Sequence, residues 1–273
     1  MENAAPKANA VVADALTVAS ISLLAAMLGN ILHEGAGHGG ACLLVGAQPL
    51  VMSSVHFECS LDTRLVSAGG TLANFLAAVL FFLCGRLVGR AHPRWKYFFW
   101  IAMTGNLYAA TGYFLFSGIG GIGDWAAFVQ GLGPQWLWRT GLAVFGALTY
   151  FLAALVSLFE LRPFVGSDTN QRLRRAMRLS AIPYFSEGIL MCTAGALNPQ
   201  GMILILISAA ASTFGGNSGL LWATNWLYRT TMIPHGPPAE PLPIFRSWPL
   251  IVATGVAAIA FIAVLGPSVR FAH

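Results

Sequence analysis

Two histidines and a glutamate fall within six residues, His33-Glu34-Gly35-Ala36-Gly37-His38. Two imidazoles beside a carboxylate suit a borderline metal such as zinc, and the carboxylate is then placed to act as a general base. In the usual helical zinc motif the histidines are four apart and share one face. Here they are five apart. At about 100° per residue, a regular α-helix points them roughly 140° away from one another. Chelation therefore requires a π-bulge, which brings residues five apart onto one face, or local unwinding at Gly35 and Gly37. Without a metal, the same residues read as interfacial helix-end histidines, with Glu34 and His38 bonded as a pair four apart.

The elements that carry these residues belong to a membrane protein. The chain is 56% hydrophobic and 9% charged, against roughly 25% charged in an ordinary soluble domain. Too little charge remains to cover a soluble surface, so lipid is the expected solvent. Apolar stretches of about 20 residues, the length that spans a bilayer, run over 11–32 (continuing toward 45), 65–88, 97–116, 136–159, 181–197, 202–226 and 249–265. The expected fold is an all-α integral membrane protein, a bundle of six or seven transmembrane helices forming one polytopic domain over 1–273. Pro183, Pro199 and Gly215-Gly216 leave room for a broken or re-entrant segment between 181 and 226. The first apolar segment lacks a cleavage site of the signal-peptide kind and is expected to stay as a helix. The prolines of 234–243, with His235 and Glu240, read as a surface loop.

Net charge is +5. The basic residues lie in short loops, which points to topology rather than to nucleic acid. Arg86, Arg90, Arg94 and Lys96 follow the second stretch, and Arg162, Arg172, Arg174, Arg175 and Arg178 follow the fourth. The intervening connections hold Arg64 and Arg139. Both basic loops then share a face with the N-terminus, which the positive-inside rule makes cytoplasmic. A multi-pass protein of a bacterial inner membrane is expected. The four cysteines Cys42, Cys59, Cys84 and Cys192 are scattered without a C-x-x-C pair. They are expected to be small buried hydrophobes, not a disulfide framework or a thiolate zinc site.

A zinc site needs a third protein ligand and an open position. In this topology the far ends of the first and third stretches meet on the non-cytoplasmic side. Asp124, after the glycine-rich run 117–123, can thus neighbour His33 and His38; it also reads as an N-cap of a helix starting at Trp125. His56 is the runner-up ligand, or a plain loop histidine. His92 and His235 fall on the opposite face.

The segment His33-Glu34…Gly37-His38, followed by Gly39-Gly40-Ala41 and Leu43-Leu44-Val45-Gly46, resembles the first core helix of the site-2 protease-like membrane zinc metallopeptidases. Ala68-Gly69-Gly70-Thr71-Leu72-Ala73-Asn74-Phe75 is similar to that family's second core helix, and Gly123-Asp124-Trp125 matches the position of its later metal-binding aspartate. The resemblance covers Leu23 to Gly133, with one extra residue between the histidines, and implies core helices over 11–133 with additional helices over 134–273. It implies Zn2+ held by His33, His38 and Asp124, Glu34 as general acid and base, and Asn74 as a hydrogen-bond donor to the oxyanion. By its residues alone, Asn74 reads equally as an interhelical hydrogen bond.

The function this implies is a membrane-embedded zinc metallopeptidase cleaving a peptide bond within or beside the membrane. The expected partners are the lipid bilayer and a membrane-protein or peptide substrate, with no nucleic acid. Two alternatives stay open: a transporter or assembly factor on the same scaffold, suggested by the intramembrane Glu187, and a lipid-acting metallohydrolase. Asn106, Asn217 and Ser218 read as packing or turn residues.

Overall fold

The computed structural model describes residues 13–199, 205–230, 232–234 and 240–271. His235, two of the loop prolines and the start of the stretch expected from 202 lie outside the described residues.

Asp14 opens the first helix. Its carboxylate accepts from the Thr17 amide at 3.0 Å, satisfying a backbone donor that the helix itself leaves free. Helix α1 (Ala15–Ile31) runs without a break into a π-helical segment (Leu32–Gly39) and then α2 (Gly40–Leu44). A hairpin of β1 (Pro49–Met52) and β2 (Phe57–Cys59) follows, then α3 (Arg64–Leu87), α4 (Pro93–Gly120) and the short α5 (Asp124–Phe128). The second half comprises α6 (Gln135–Val165), α7 (Thr169–Gly195), a second π-helical segment (Ile205–Gly215), a 3-10 turn (Gly216–Leu220), α8 (Trp222–Arg229), α9 (Trp248–Leu265) and β3 (Val269–Arg270). The described residues are nearly all helical, with one small sheet among them, of order β2-β1-β3, that the apolar periodicity did not announce.

Among the described residues, four helical stretches are long and apolar enough to cross a membrane: Ala15–Leu44, Arg64–Leu87, Gln135–Val165 and Trp248–Leu265. Their outward faces carry Leu76, Leu80, Leu148, Leu152, Val256 and Ile259, all exposed. Polar side chains such as Thr71, Asn74, Ser157 and Thr254 are buried instead. Apolar faces of that extent would be a liability in water and are natural in lipid. The expected count of six or seven spans is not carried beyond these four. Helix α4 shows why apolarity understates its place. It packs against α1, α3 and α6 and buries Thr104, Asn106, Tyr108 and Thr111. A helix enclosed by other helices need not be greasy all round. The expected stretch over 202–226 is interrupted at Gly215-Gly216, where the π segment gives way to the 3-10 turn.

Helices α1 and α9 run parallel. At one end the Asp14 amide donates to the Ile244 carbonyl at 2.8 Å, and Arg246 pairs with Asp14 at 2.9 Å. At the other end the Ser54 amide donates to the Leu265 carbonyl at 2.9 Å, and β3 pairs with β1. The end where α1 begins also gathers the basic loops. Arg86 pairs with Glu160 at 3.1 Å, and Arg90 donates to the Glu240 carbonyl at 2.8 Å. The hairpin, α5 and the π-helical segment lie at the opposite end.

The cysteine expectation is corrected in part. Cys42 and Cys59 form a disulfide, while Cys84 and Cys192 are free. The pair is 17 residues apart in sequence. It meets because the hairpin folds back over α2, which spacing alone could not reveal.

Candidate metal centre

The π-helical segment is where the two histidines converge. With an i to i+5 bonding pattern, residues five apart stack on one face, and the ring centroids of His33 and His38 lie 4.8 Å apart. Their Nε2 atoms are separated by 3.2 Å. Asp124 Oδ2 lies 3.4 Å from His33 Nε2 and 3.5 Å from His38 Nε2. His33, His38 and Asp124 thus form a group able to hold a metal ion. Among the described residues, Asp124 Oδ2 is buried without a hydrogen-bond partner, an arrangement costly in a protein interior unless something else satisfies it.

Each imidazole is held from behind. His38 Nδ1 bonds the Val66 carbonyl at 2.7 Å. A carbonyl only accepts, so Nδ1 carries the proton and Nε2 presents its lone pair to the centre. His33 reaches the same state through a relay of amides. Asn106 Nδ2 donates to the Ala102 carbonyl at 2.8 Å, and Asn74 Nδ2 donates to Asn106 Oδ1 at 2.7 Å. That leaves Asn74 Oδ1 facing His33 Nδ1, which must donate to it. Such outer partners orient metal ligands and fix their tautomers. Asn74, expected to face the oxyanion, here has its amide oxygen on His33 Nδ1 and its amide nitrogen on Asn106 Oδ1, the place of a positioning residue.

Glycines make the approach of the helices possible. A Cβ at Gly37 would lie 2.6 Å from Gly70 Cα, and one at Gly69 would lie 2.5 Å from the Gly37 carbonyl oxygen. The π-helical segment and α3 thus touch backbone to backbone. Gly70 forms the floor of the centre, since a Cβ there would sit 2.6 Å from both His33 Nε2 and His38 Nε2.

Asp124 arrives by a tight reversal after α4. Gly121 (φ 67°) and Gly123 (φ 84°) take left-handed conformations that side chains with a Cβ disfavour. Arg139 holds the end of α4 by donating to the Gly118 carbonyl at 3.2 Å and the Ile119 carbonyl at 2.6 Å. Asp124 is the first residue of α5 and Gly123 its N-cap, so the capping alternative does not apply. Trp125 Nε1 donates to Thr71 Oγ1 at 3.2 Å, and Arg64 Nε donates to the Phe128 carbonyl at 3.1 Å. These bonds pin α5 onto α3. Burial by itself raises the Asp124 carboxyl, and the two imidazoles, when charged, outweigh that effect and hold it well below the usual carboxylate range. With neutral imidazoles a bound cation would take over that role, since the carboxylate must be ionised to act as a ligand.

Glu34 is buried and lines the same cavity as the three candidate ligands. The other candidates are elsewhere. His56 pairs with Glu58 at 3.3 Å at the cavity mouth, leaving Asp124 as the third member of the cluster. Glu187 is buried in α7 and accepts from Asn217 Nδ2 at 3.0 Å. Sequence reasoning missed Tyr113, whose ring stacks on His33 at 5.0 Å, and took Asn106 for a packing residue.

Comparison of the chain with protein-family models, with curated proteins and with solved structures gives no match.

Proposed function

We propose that the protein is a membrane-embedded zinc hydrolase that cleaves a peptide bond within or beside the bilayer. One observation carries this reading: three ligand atoms set 3.2 to 3.5 Å apart, two of them on imidazoles held from behind. Ligands about 2.0–2.1 Å from zinc at tetrahedral corners stand about 3.3–3.4 Å from one another. Three corners are filled and the fourth is left to water or substrate. A zinc ion held there supplies Lewis acidity and makes a water more acidic.

The chain's own residues account for the remaining steps. Glu34 accepts a proton from the attacking water. The water oxygen bonds to the carbonyl carbon, the carbon–nitrogen bond breaks, and Glu34 returns the proton to the leaving nitrogen. Gly70 keeps the floor free of side chains. The choice of a peptide bond rests on the resemblance of 23–133 to the site-2 protease-like metallopeptidases. We place the N-terminus and the basic end in the cytoplasm of a bacterial inner membrane, with the centre near the other face. A disulfide at that end suits an oxidising compartment.

Metal analysis of the protein purified in lipid tests the reading. Stoichiometric zinc is expected, lost in His33→Ala and Asp124→Ala. Glu34→Gln is expected to retain zinc and lose turnover. Native protein that neither carries nor takes up zinc would sink the proposal. Glu187 supports a second reading, proton-coupled transport, because a carboxylate buried inside a membrane bundle is a common proton carrier. Its small cavity, of about 110 Å³, also reaches His33 and Glu34. Proton flux in liposomes that vanishes in Glu187→Gln would favour that reading over hydrolysis.

A further inference from the structure

The cavity at the centre is far larger than a metal site requires. It has a volume of about 670 Å³, within the range of sites that hold a whole organic ligand. Its mouth carries His56 and Asp62, and its deep part is walled by Tyr108, Gly112, Phe116, Tyr150, Gly216 and Trp222. Tyr108, Gly112 and Phe116 are spaced by four and share one face of α4. They mark out about 12 Å of helix. Trp222 lines the chamber and is also 41% exposed, so the chamber comes close to the surface of the bundle there. Ionisable side chains line it near the hairpin, and rings and glycines line it along α4, with Ser212 and Ser218 also in its walls.

The walls discriminate between occupants. An extended peptide brings a backbone donor and acceptor with every residue, each of which needs a partner away from water. The α4 face has its backbone bonded within the helix. Tyr150 Oη donates to the Gly216 carbonyl and accepts from the Gly219 amide. Tyr108 Oη, buried with no partner among the described residues, and the Ser212 and Ser218 hydroxyls in the walls are too few to seat a strand. A linear hydrocarbon chain needs no such partners and gains from burial against rings and glycines.

We propose that this chamber holds the linear acyl chain of an amphiphilic substrate, with the carbonyl at the His33–His38–Asp124 centre and the chain running along α4 toward Trp222. This rests on the hydrolase part of that reading and departs from it on the substrate: the bond cleaved is the amide that the acyl carbonyl makes, not a peptide bond between two residues. Gly112 sets the bore, since a Cβ there would already lie 3.5 Å from the Tyr150 ring.

The test uses the full chain in lipid nanodiscs, loaded with cobalt(II), whose visible spectrum reports ligands at the metal. Acetohydroxamate, hexanohydroxamate and dodecanohydroxamate are titrated, alongside a leucyl hydroxamate. Affinity should rise at least about tenfold from the two-carbon to the six-carbon probe, in line with burial of methylenes. Gly112→Phe should erase that gain while acetohydroxamate still binds. Trp222→Ala, which removes bulk at the far end, should move the preferred length upward and guards against a misfolded Gly112 variant. A gain confined to the leucyl probe would make the chamber a peptide subsite and overturn the proposal, as would a chain-length gain indifferent to both substitutions. If acetohydroxamate leaves the spectrum unchanged, the hydrolase reading itself fails and the inference falls with it.

Discussion

At the scale of single residues, the centre depends on what is absent as much as on what is present. Gly70 faces two ligand nitrogens at distances that no side chain could share. Gly70→Ala should therefore abolish metal retention while leaving the helical circular dichroism of the protein intact. A variant that kept stoichiometric metal would show that the ligand nitrogens do not meet over Gly70. Asn74 acts one bond further out. Its carbonyl oxygen holds the His33 Nδ1 proton in place, and outer partners of this kind are worth about 10–100-fold in metal affinity. Asn74→Leu should weaken zinc binding by that order, measured by competition with a chelator. Asn74→Asp, which preserves an acceptor, should recover most of it. Equal affinity in the wild type and Asn74→Leu would remove the relay from the account.

At the scale of elements, the π-helical segment does what a regular helix could not: it turns a five-residue spacing into a common face. Its position is fixed on two sides. Gly37 presses on Gly69 and Gly70 of α3, and the Phe57 ring of β2 lies over His38 with centroids 6.3 Å apart. The disulfide joins α2, just past His38, to β2, just past Phe57. It closes a loop of 17 residues, for which the chain-entropy account gives about 3 kcal/mol. Replacing both Cys42 and Cys59 by serine should lower the thermal midpoint by several degrees and speed zinc loss to a chelator. Unchanged values for both would mean that the hairpin is held by packing and β pairing alone.

At the scale of the whole molecule, the bundle separates two ends with different chemistry. One gathers Arg86, Arg90, Glu160, Glu240 and the start of α1; the other holds the sheet, the disulfide and the candidate centre. In a background with Cys84 and Cys192 replaced by alanine, Arg90→Cys should react with an impermeant maleimide only when the cytoplasmic face is open to it. Gln130→Cys, in the exposed connection before α6, should react only from the other face. The reverse pattern would invert the orientation and place the metal centre toward the cytoplasm.

Composition and charge spacing were enough to announce a helical membrane protein and to group the basic loops at one end, because lipid solvation and the cost of buried charge act on stretches of sequence. The cluster of His33, Glu34 and His38 was legible for the same reason: so much polarity in so apolar a chain stands out. The five-residue spacing even required a π-bulge or unwinding, because helical geometry left no other way for the imidazoles to meet. Asp124 followed from the order of the helices. What the tertiary structure decided depends on backbones approaching across the fold. The glycine contact between the π segment and α3, the relay through Asn74 and Asn106, the disulfide formed by a returning hairpin and the chamber along α4 each join residues from separate elements. Their contacts are set by packing, which no local periodicity encodes. The role of Asn74 shows the difference: its type and place on α3 were readable, but which side of His33 its amide would occupy was fixed only when α4 brought Asn106 against it.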